Sequence, residues 1–384
     1  MTHHPSISET GLGSWKNAPA VIGAAVAAID TPALLIDLDA MERNIEEVHS
    51  AIHTAGIAVR SHAKAHKCPD IALRQVKAGA VGICVQKASE AEPFIDVGIK
   101  NILITNEVVG VRKVERVARL AALTHMGLCV DNIVQVHQIG AAARRHHVAI
   151  DVYIEMDVGH GRCGVISADA AIEIAQAIAT YSPALVFAGL QAYHGTAQHM
   201  REPEQRIQAI KKACARVKEM IAALGAAGFA VNAVTGGGTG TYELEAESGV
   251  YTEVQPGSYV LMDNDYQKNT PDNDMPILKN ALYALCTVMS VSPTHAVLDA
   301  GLKAFAVDSG LPKITTPGWS VQSISDEHTT IVSEHGATAL KVGDKVKLIP
   351  GHCDPTVNLH DWIIAVRNDK VEELWPISAR GALF

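Results

Sequence analysis

From Pro32 to about Asp263, short apolar runs alternate with longer stretches in which apolar residues recur every three to four positions. One such pair occupies roughly 20 to 35 residues, the spacing of repeated strand–helix units. The apolar runs predict strands at 33–37, 57–62, 82–85, 101–105, 126–131, 150–156, 185–193, 230–235 and 252–255. A closed (β/α)8 barrel needs eight, so one of the nine is misread or lies outside it. The helices between them carry start and stop signals: Asp39 is placed to cap a helix that runs to Ala55 before Gly56, and 167–181 ends before Ser182-Pro183. The longest helical pattern covers 202–225. After about residue 275 the pattern shifts to shorter, turn-bounded runs at 281–290, 294–299, 329–333, 345–349, 361–366 and 370–375, which predict a β domain. The expected architecture is therefore α/β, a TIM-type barrel over 30–270 followed by a β domain over 275–384 that also takes part of 1–29.

A length of 384 residues suits that pairing, and 48% apolar with 19% charged residues is the composition of a packed globular chain. A formal net charge of −9 disfavours a nucleic-acid-binding face. Apolar stretches are broken well short of the roughly 20 residues that span a membrane. The amino terminus shows no basic region followed by an apolar core, so a cytoplasmic protein is expected. Seven dispersed cysteines without a C-x-x-C pair point to reduced thiols and away from a structural zinc site.

Five features carry chemistry. Arg60-Ser61-His62-Ala63-Lys64-Ala65-His66-Lys67 puts five cationic or imidazole groups where a strand gives way to a helix. Neighbouring positive charge disfavours the ammonium form, and neutral amine is what attacks a carbonyl to make a Schiff base; on charge alone Lys64 and Lys67 are equal candidates. Thr235-Gly236-Gly237-Gly238-Thr239-Gly240-Thr241 follows a late strand, where barrels place phosphate, and Pro256-Gly257-Ser258-Tyr259 follows the next. Asp157-Val158-Gly159-His160-Gly161-Arg162 presents an arginine between glycines. Tyr193-His194-Gly195 with Gln198-His199 offers a base and an orienting group, or metal ligands. His352-Cys353-Asp354 places an imidazole and a carboxylate on one side of an extended segment, with Cys353 directed away, a pair suited to Mn²⁺ or Mg²⁺.

Taken together, R-S-H-A-K-A-H-K-C-P at 60–69, G-I-C-V-Q-K-A-S-E-A at 82–91, D-V-G-H-G-R-C-G-V at 157–165, A-Y-H-G-T-A-Q-H at 192–199, T-G-G-G-T-G at 235–240 and G-H-C-D-P-T at 351–356 resemble the D-threonine aldolase family. The 3-hydroxy-D-aspartate aldolases match about as well, and more broadly the chain is similar to the fold-type III pyridoxal phosphate enzymes, alanine racemase and D-serine dehydratase among them. The resemblance implies an alanine-racemase-like barrel, paired as a homodimer, that cleaves a small D-3-hydroxy amino acid to glycine and an aldehyde. It assigns Lys64 to the covalent hold on pyridoxal phosphate, Arg162 to the pyridine nitrogen, and Gln86 and Tyr193 to the cofactor's surroundings. Gly238, Thr239, Gly257 and Ser258 would take the phosphate, His352 and Asp354 the divalent metal, and His199 would be the base. Ser61 departs from the proline many relatives carry before the histidine, which is expected to loosen the turn. A metal-dependent dehydratase of D-serine or 3-hydroxyaspartate on the same scaffold is the alternative, though its His-x-Cys metal pattern differs from the His-Cys-Asp here. Asp308 is a further candidate near the substrate.

Overall fold

The computed structural model of the chain describes residues 18–271, 276–333 and 339–384. Around the barrel the strands follow one another as Ala58–Val59, Glu253–Val254, Ala233–Gly236, Leu185–Gln191, Ile150–Glu155, His125–Val130, Asn101–Glu107, Ile83–Val85 and Ser61–His62. The first and last are two pieces of one segment interrupted at Arg60. Val59 pairs with Val254 on one side and His62 with Cys84 on the other, so eight segments close the circle. All the pairings are parallel. Arg60 is buried at the closure; its guanidinium donates to Glu253 Oε1 at 2.9 Å and to Asn101 Oδ1 at 2.6 Å.

Local sequence accounts for these elements. Parallel strands covered on both faces read as continuous apolar runs, and Ile102, Leu103 and Ile104 are all buried. In the helix Ala168–Ala179 the buried residues Ala171, Ile174, Ala175 and Ile178 share one face, and Ser167 caps it by accepting from Ala170 N–H at 3.3 Å. The first helix, Leu38–Thr54, starts earlier than expected: Asp37, not Asp39, is its cap and accepts from Ala40 N–H at 3.1 Å. Asp39 falls in the first turn, where a carboxylate suits the helix dipole.

Of the nine strand-like runs, 33–37 is the one outside the barrel. Ala33–Asp37 pairs antiparallel with Leu282–Val291 and parallel with Trp362–Arg367, in the middle of a second, nine-stranded sheet. That sheet contains the expected β strands and adds two, Lys313–Ile314 and Trp319–Ile324. Trp319 and Val321 at alternate positions after Pro317-Gly318 were the available signal for the second, before the pattern slips at Gln322-Ser323 where the pairing register shifts. Val26 and Ile29 pack with Leu35, Ile364 and Val366 of this sheet; residues 1–17 lie outside the described residues. No helix among the described residues is long and apolar enough to cross a membrane.

Candidate active site

The carboxyl ends of the barrel strands gather the sequence motifs at one mouth. Lys64 follows Ser61–His62, Gln86 follows Ile83–Val85, Arg162 follows Ile150–Glu155 and Tyr193 follows Leu185–Gln191. Gly238 and Thr239 follow Ala233–Gly236, and Gly257 and Ser258 follow Glu253–Val254. All eight of these residues line a single pocket, joined by His62 of the basic cluster and by Thr105, Gln191, Gln255 and Tyr266, which sequence reading did not single out.

Lys64 sits in the 3-10 turn Ala63–Ala65 and extends its ammonium to Asp354 Oδ2 at 2.7 Å. The expectation that cationic neighbours would depress its pKa is overturned. Asp354 acts first and raises it, against the opposing effect of burial. The other members of the basic cluster are turned elsewhere: Arg60 to Glu253, Lys67 to Glu90, His66 to Gln75 and His62 to Thr105. Lys67 is therefore committed to a buried ion pair, and its partner Glu90 also accepts from Gln86 N–H at 2.7 Å. His62 is held neutral by burial and then by the charge on Lys64.

Small residues form the anion-facing side. A Cβ on Gly257 would come within 2.9 Å of the His62 carbonyl, a backbone contact that favours glycine, and one on Gly238 would come within 2.6 Å of Gln198 Oε1 and displace that side chain. Thr239 Oγ1 accepts from Tyr259 N–H at 2.9 Å, which frees its proton for donation into the pocket. Ser258 Oγ donates to Asp354 Oδ1 at 3.2 Å. These donors, the glycine-lined loops and the lysine opposite fit a phosphorylated aldehyde such as pyridoxal phosphate.

Behind the glycine loop Glu245 is fully buried. Its Oε1 accepts from Thr241 Oγ1 at 2.8 Å and its Oε2 has no partner. Burial pushes this carboxyl up to about 8 from an ordinary 4.5. A carboxyl whose folded pKa is raised binds a proton more readily in the native state, so stability falls as pH climbs from the unfolded value toward the folded one. Glu245→Gln is expected to gain roughly 3 kcal/mol on the wild type between pH 5 and pH 8 in urea unfolding; parallel pH profiles for the two proteins would refute the assignment.

Arg162 lies 5.7 Å from the Tyr193 ring centroid and 3.5 Å from Glu155. Glu155 itself is pushed up to about 8 by burial and then by Glu107. Gln86 Nε2 is 3.0 Å from both Thr105 Oγ1 and His62 Nε2.

The His352–Asp354 pair differs in detail from its expectation. His352 is extended, but Asp354 lies in the first turn of the short helix Cys353–Val357, so strand alternation is not what aligns them. Cys353 is buried, but its thiol is not directed away from the pair: it donates to Asp354 Oδ1 at 3.3 Å. His352 Nδ1 donates to Asp308 Oδ2 at 2.6 Å, which leaves Nε2 free as a ligand atom. Burial opposes ionisation of Asp354, yet the Lys64 ammonium holds its carboxyl well below the usual carboxylate range. One imidazole and one carboxylate fit a divalent ion that keeps open positions for water or substrate. Glu107, Asp131 and Cys163 also stand within ligating distance of one another. There the Cys163 thiol is pushed up to about 11, chiefly by burial, and is a poor ligand.

The histidines at 194 and 199 do not act as a pair. His199 Nδ1 donates to Asp265 Oδ2 at 2.8 Å, whereas His194 is 3.2 Å from Thr196 Oγ1. Asp265 is in turn held by Arg201 at 2.6 Å, and despite partial burial its carboxyl lies below the usual range. Since a carboxylate only accepts, Nδ1 of His199 carries a proton toward Asp265, and Nε2 is the ring nitrogen left outside this contact.

Residues 36–265 match the alanine racemase N-terminal domain, and residues 281–366 match a putative serine dehydratase domain. The chain is 46% identical over 372 residues to a 3-hydroxy-D-aspartate aldolase of Paracoccus denitrificans (strain Pd 1222), covering 94% of this chain and 95% of that one. It is 45% identical over 365 residues to a D-threonine aldolase of an Arthrobacter species, covering 94% and 96%. The crystal structure of D-threonine aldolase from Filomicrobium marinum superposes with a TM-score of 0.93 at 44% identity, over 96% of this chain and all of that one. A D-threo-3-hydroxyaspartate dehydratase of a Delftia species stands further off, at 26% identity over 360 residues, covering 85% of this chain and 92% of that one.

Proposed function

The chain belongs to the family of D-threonine and 3-hydroxy-D-aspartate aldolases, carbon–carbon lyases on an alanine-racemase-like fold, and from that premise we propose how its own residues perform the cleavage. The reaction splits a D-3-hydroxy amino acid between Cα and Cβ into glycine and an aldehyde, acetaldehyde from D-threonine or glyoxylate from 3-hydroxy-D-aspartate. The observation that carries this reading is the convergence on one pocket of a lysine, two glycine-bearing loops and an arginine, with the lysine touching the carboxylate of the His352–Asp354 pair.

Lys64 holds pyridoxal phosphate covalently; Gly238, Thr239, Gly257 and Ser258 take its phosphate, and Gln86, Arg162 and Tyr193 surround the ring. When bound, the cofactor supplies a sink for the electron pair left on Cα. His352 and Asp354 would hold a divalent ion, Mn²⁺ or Mg²⁺, which when bound would supply Lewis-acid chemistry at the substrate's β-hydroxyl. His199 Nε2, with Nδ1 pinned by Asp265, takes the hydroxyl proton as the bond parts. Arg162, which the family resemblance sets beside the ring nitrogen, cannot readily give up a proton and would leave that nitrogen unprotonated when the cofactor is bound. A cytoplasmic homodimer, as in the family resemblance, is part of the same reading.

Product analysis tests it. Purified enzyme supplied with D-threonine or either D-3-hydroxyaspartate diastereomer, and with Mn²⁺ or Mg²⁺, is expected to release glycine and aldehyde in equal amounts. Ammonia with a keto acid as the main products would instead mark a dehydratase. The aldolase reading is better supported, because the aldolase relatives are far more similar than the dehydratase and because Asp354, not a cysteine, stands two residues after His352.

A further inference from the structure

Behind the phosphate loops, five buried side chains form one run of hydrogen bonds whose direction is set by the backbone at both ends. Cys68 N–H donates to His66 Nδ1 at 3.1 Å, so the proton of the neutral ring sits on Nε2, which donates to Gln75 Oε1 at 3.2 Å. Gln75 Nε2 then donates to Tyr259 Oη at 3.0 Å. At the far end the Ala78 carbonyl, able only to accept, takes Nδ1–H of His49 at 3.2 Å. This leaves His49 Nε2 to accept from the Tyr259 hydroxyl at 2.7 Å, while Ser61 Oγ supplies a second donor to Oη at 3.0 Å. Tyr259, Ser61, Gln75 and His66 are wholly buried and His49 is 2% exposed. Burial lowers both imidazoles to about 4, so the run stays uncharged at neutral pH. Ser61 thus does more than occupy a turn; its hydroxyl completes the set of partners around Tyr259.

The backbone of Tyr259 ties this run to the pocket. Its N–H donates to Thr239 Oγ1 at 2.9 Å and its carbonyl accepts from Asn44 Nδ2 at 2.9 Å. Gly257 and Ser258 immediately precede it. One residue therefore joins the loop after Ala233–Gly236 to the loop after Glu253–Val254, and orients the hydroxyl of Thr239.

We propose that Tyr259 is a positioning residue for phosphate recognition, locking the two loops in register through the hydrogen-bonded run from His66 to His49. The proposal rests on the reading that this pocket takes pyridoxal phosphate. Tyr259→Phe keeps the ring and removes Oη. Equilibrium dialysis of the full-length protein, freed of cofactor with hydroxylamine, would compare pyridoxal 5′-phosphate with pyridoxal, which has the same aldehyde and no phosphate. The expected result is about tenfold weaker binding of the phosphate ester, with pyridoxal changed by less than about twofold. Equal weakening of both compounds, or an unchanged affinity for the phosphate ester, would overturn the proposal. His49→Phe removes the acceptor at the remote end and is expected to act in the same direction by about threefold, again on the phosphate ester alone. It decides by the same criterion should Tyr259→Phe fail to fold. A wild-type protein that binds the phosphate ester no better than pyridoxal would instead refute the cofactor reading itself.

Discussion

Lys64→Arg is expected to lower aldehyde release by at least about three orders of magnitude while leaving the unfolding temperature close to that of the wild type. The substitution separates the two things Lys64 does. Its positive charge compensates Asp354, which is only 13% exposed, across a 2.7 Å contact. A guanidinium retains that charge and pairs well with a carboxylate, so the fold and the position of Asp354 should survive. What a guanidinium cannot do is shed a proton and attack a carbonyl. Lys64→Ala should be equally inactive, but it also strands the Asp354 carboxylate and so should cost stability as well. A coupled assay of aldehyde release, run beside thermal unfolding, would measure both effects. An arginine variant that kept a tenth or more of the wild-type rate would remove the covalent role from Lys64.

Withdrawal of the divalent ion is expected to have the next largest effect. Treatment with excess chelator should reduce cleavage below about one per cent and leave the absorbance of the bound cofactor near its starting value, with Mn²⁺ or Mg²⁺ restoring the rate. The asymmetry follows from the placement of the proposed residues: the proposed ligands His352 and Asp354 lie at the edge of the second sheet's segment, after Lys345–Ile349, whereas the loops proposed for the phosphate lie at the ends of barrel strands. His352→Ala should mimic chelation and resist rescue by added metal. Asp308→Ala, which removes only the carboxylate behind His352 Nδ1, should weaken metal affinity by about 10- to 100-fold and be rescued at high metal concentration. Full turnover in excess chelator would exclude the metal from the reaction.

Much of this architecture was legible in the chain. Continuous apolar runs and helical periodicity located all eight barrel strands, because a parallel strand buried on both faces has few other sequences open to it. The same argument explains the one surplus. Ala33-Leu34-Leu35-Ile36-Asp37 is a central strand with a parallel neighbour on one side, so locally it looks like a barrel strand, and only its partners reveal the other sheet. The glycine loops and Lys64 were visible because strand ends and glycine runs are local signals. Asp265 and Asp308, which fix the tautomers of His199 and His352, were not read as such, since those contacts close over 66 and 44 residues. The effect of the basic cluster was misjudged for a related reason: its five side chains share a sequence neighbourhood, but each turns to a different partner outside the cluster, from Gln75 nine residues on to Asp354.

The central position of Ala33–Asp37 also bears on whether this molecule is modular. The strand lies between Leu282–Val291 and Trp362–Arg367, so without it the second sheet falls into two unconnected parts. A fragment beginning near residue 276 would therefore lack the piece that unites it, and would expose two unpaired edges open to association with other chains. The barrel and the sheet cannot be exchanged between relatives as cassettes cut once. A working chimera must carry the strand Ala33–Asp37 along with the carboxyl-terminal half.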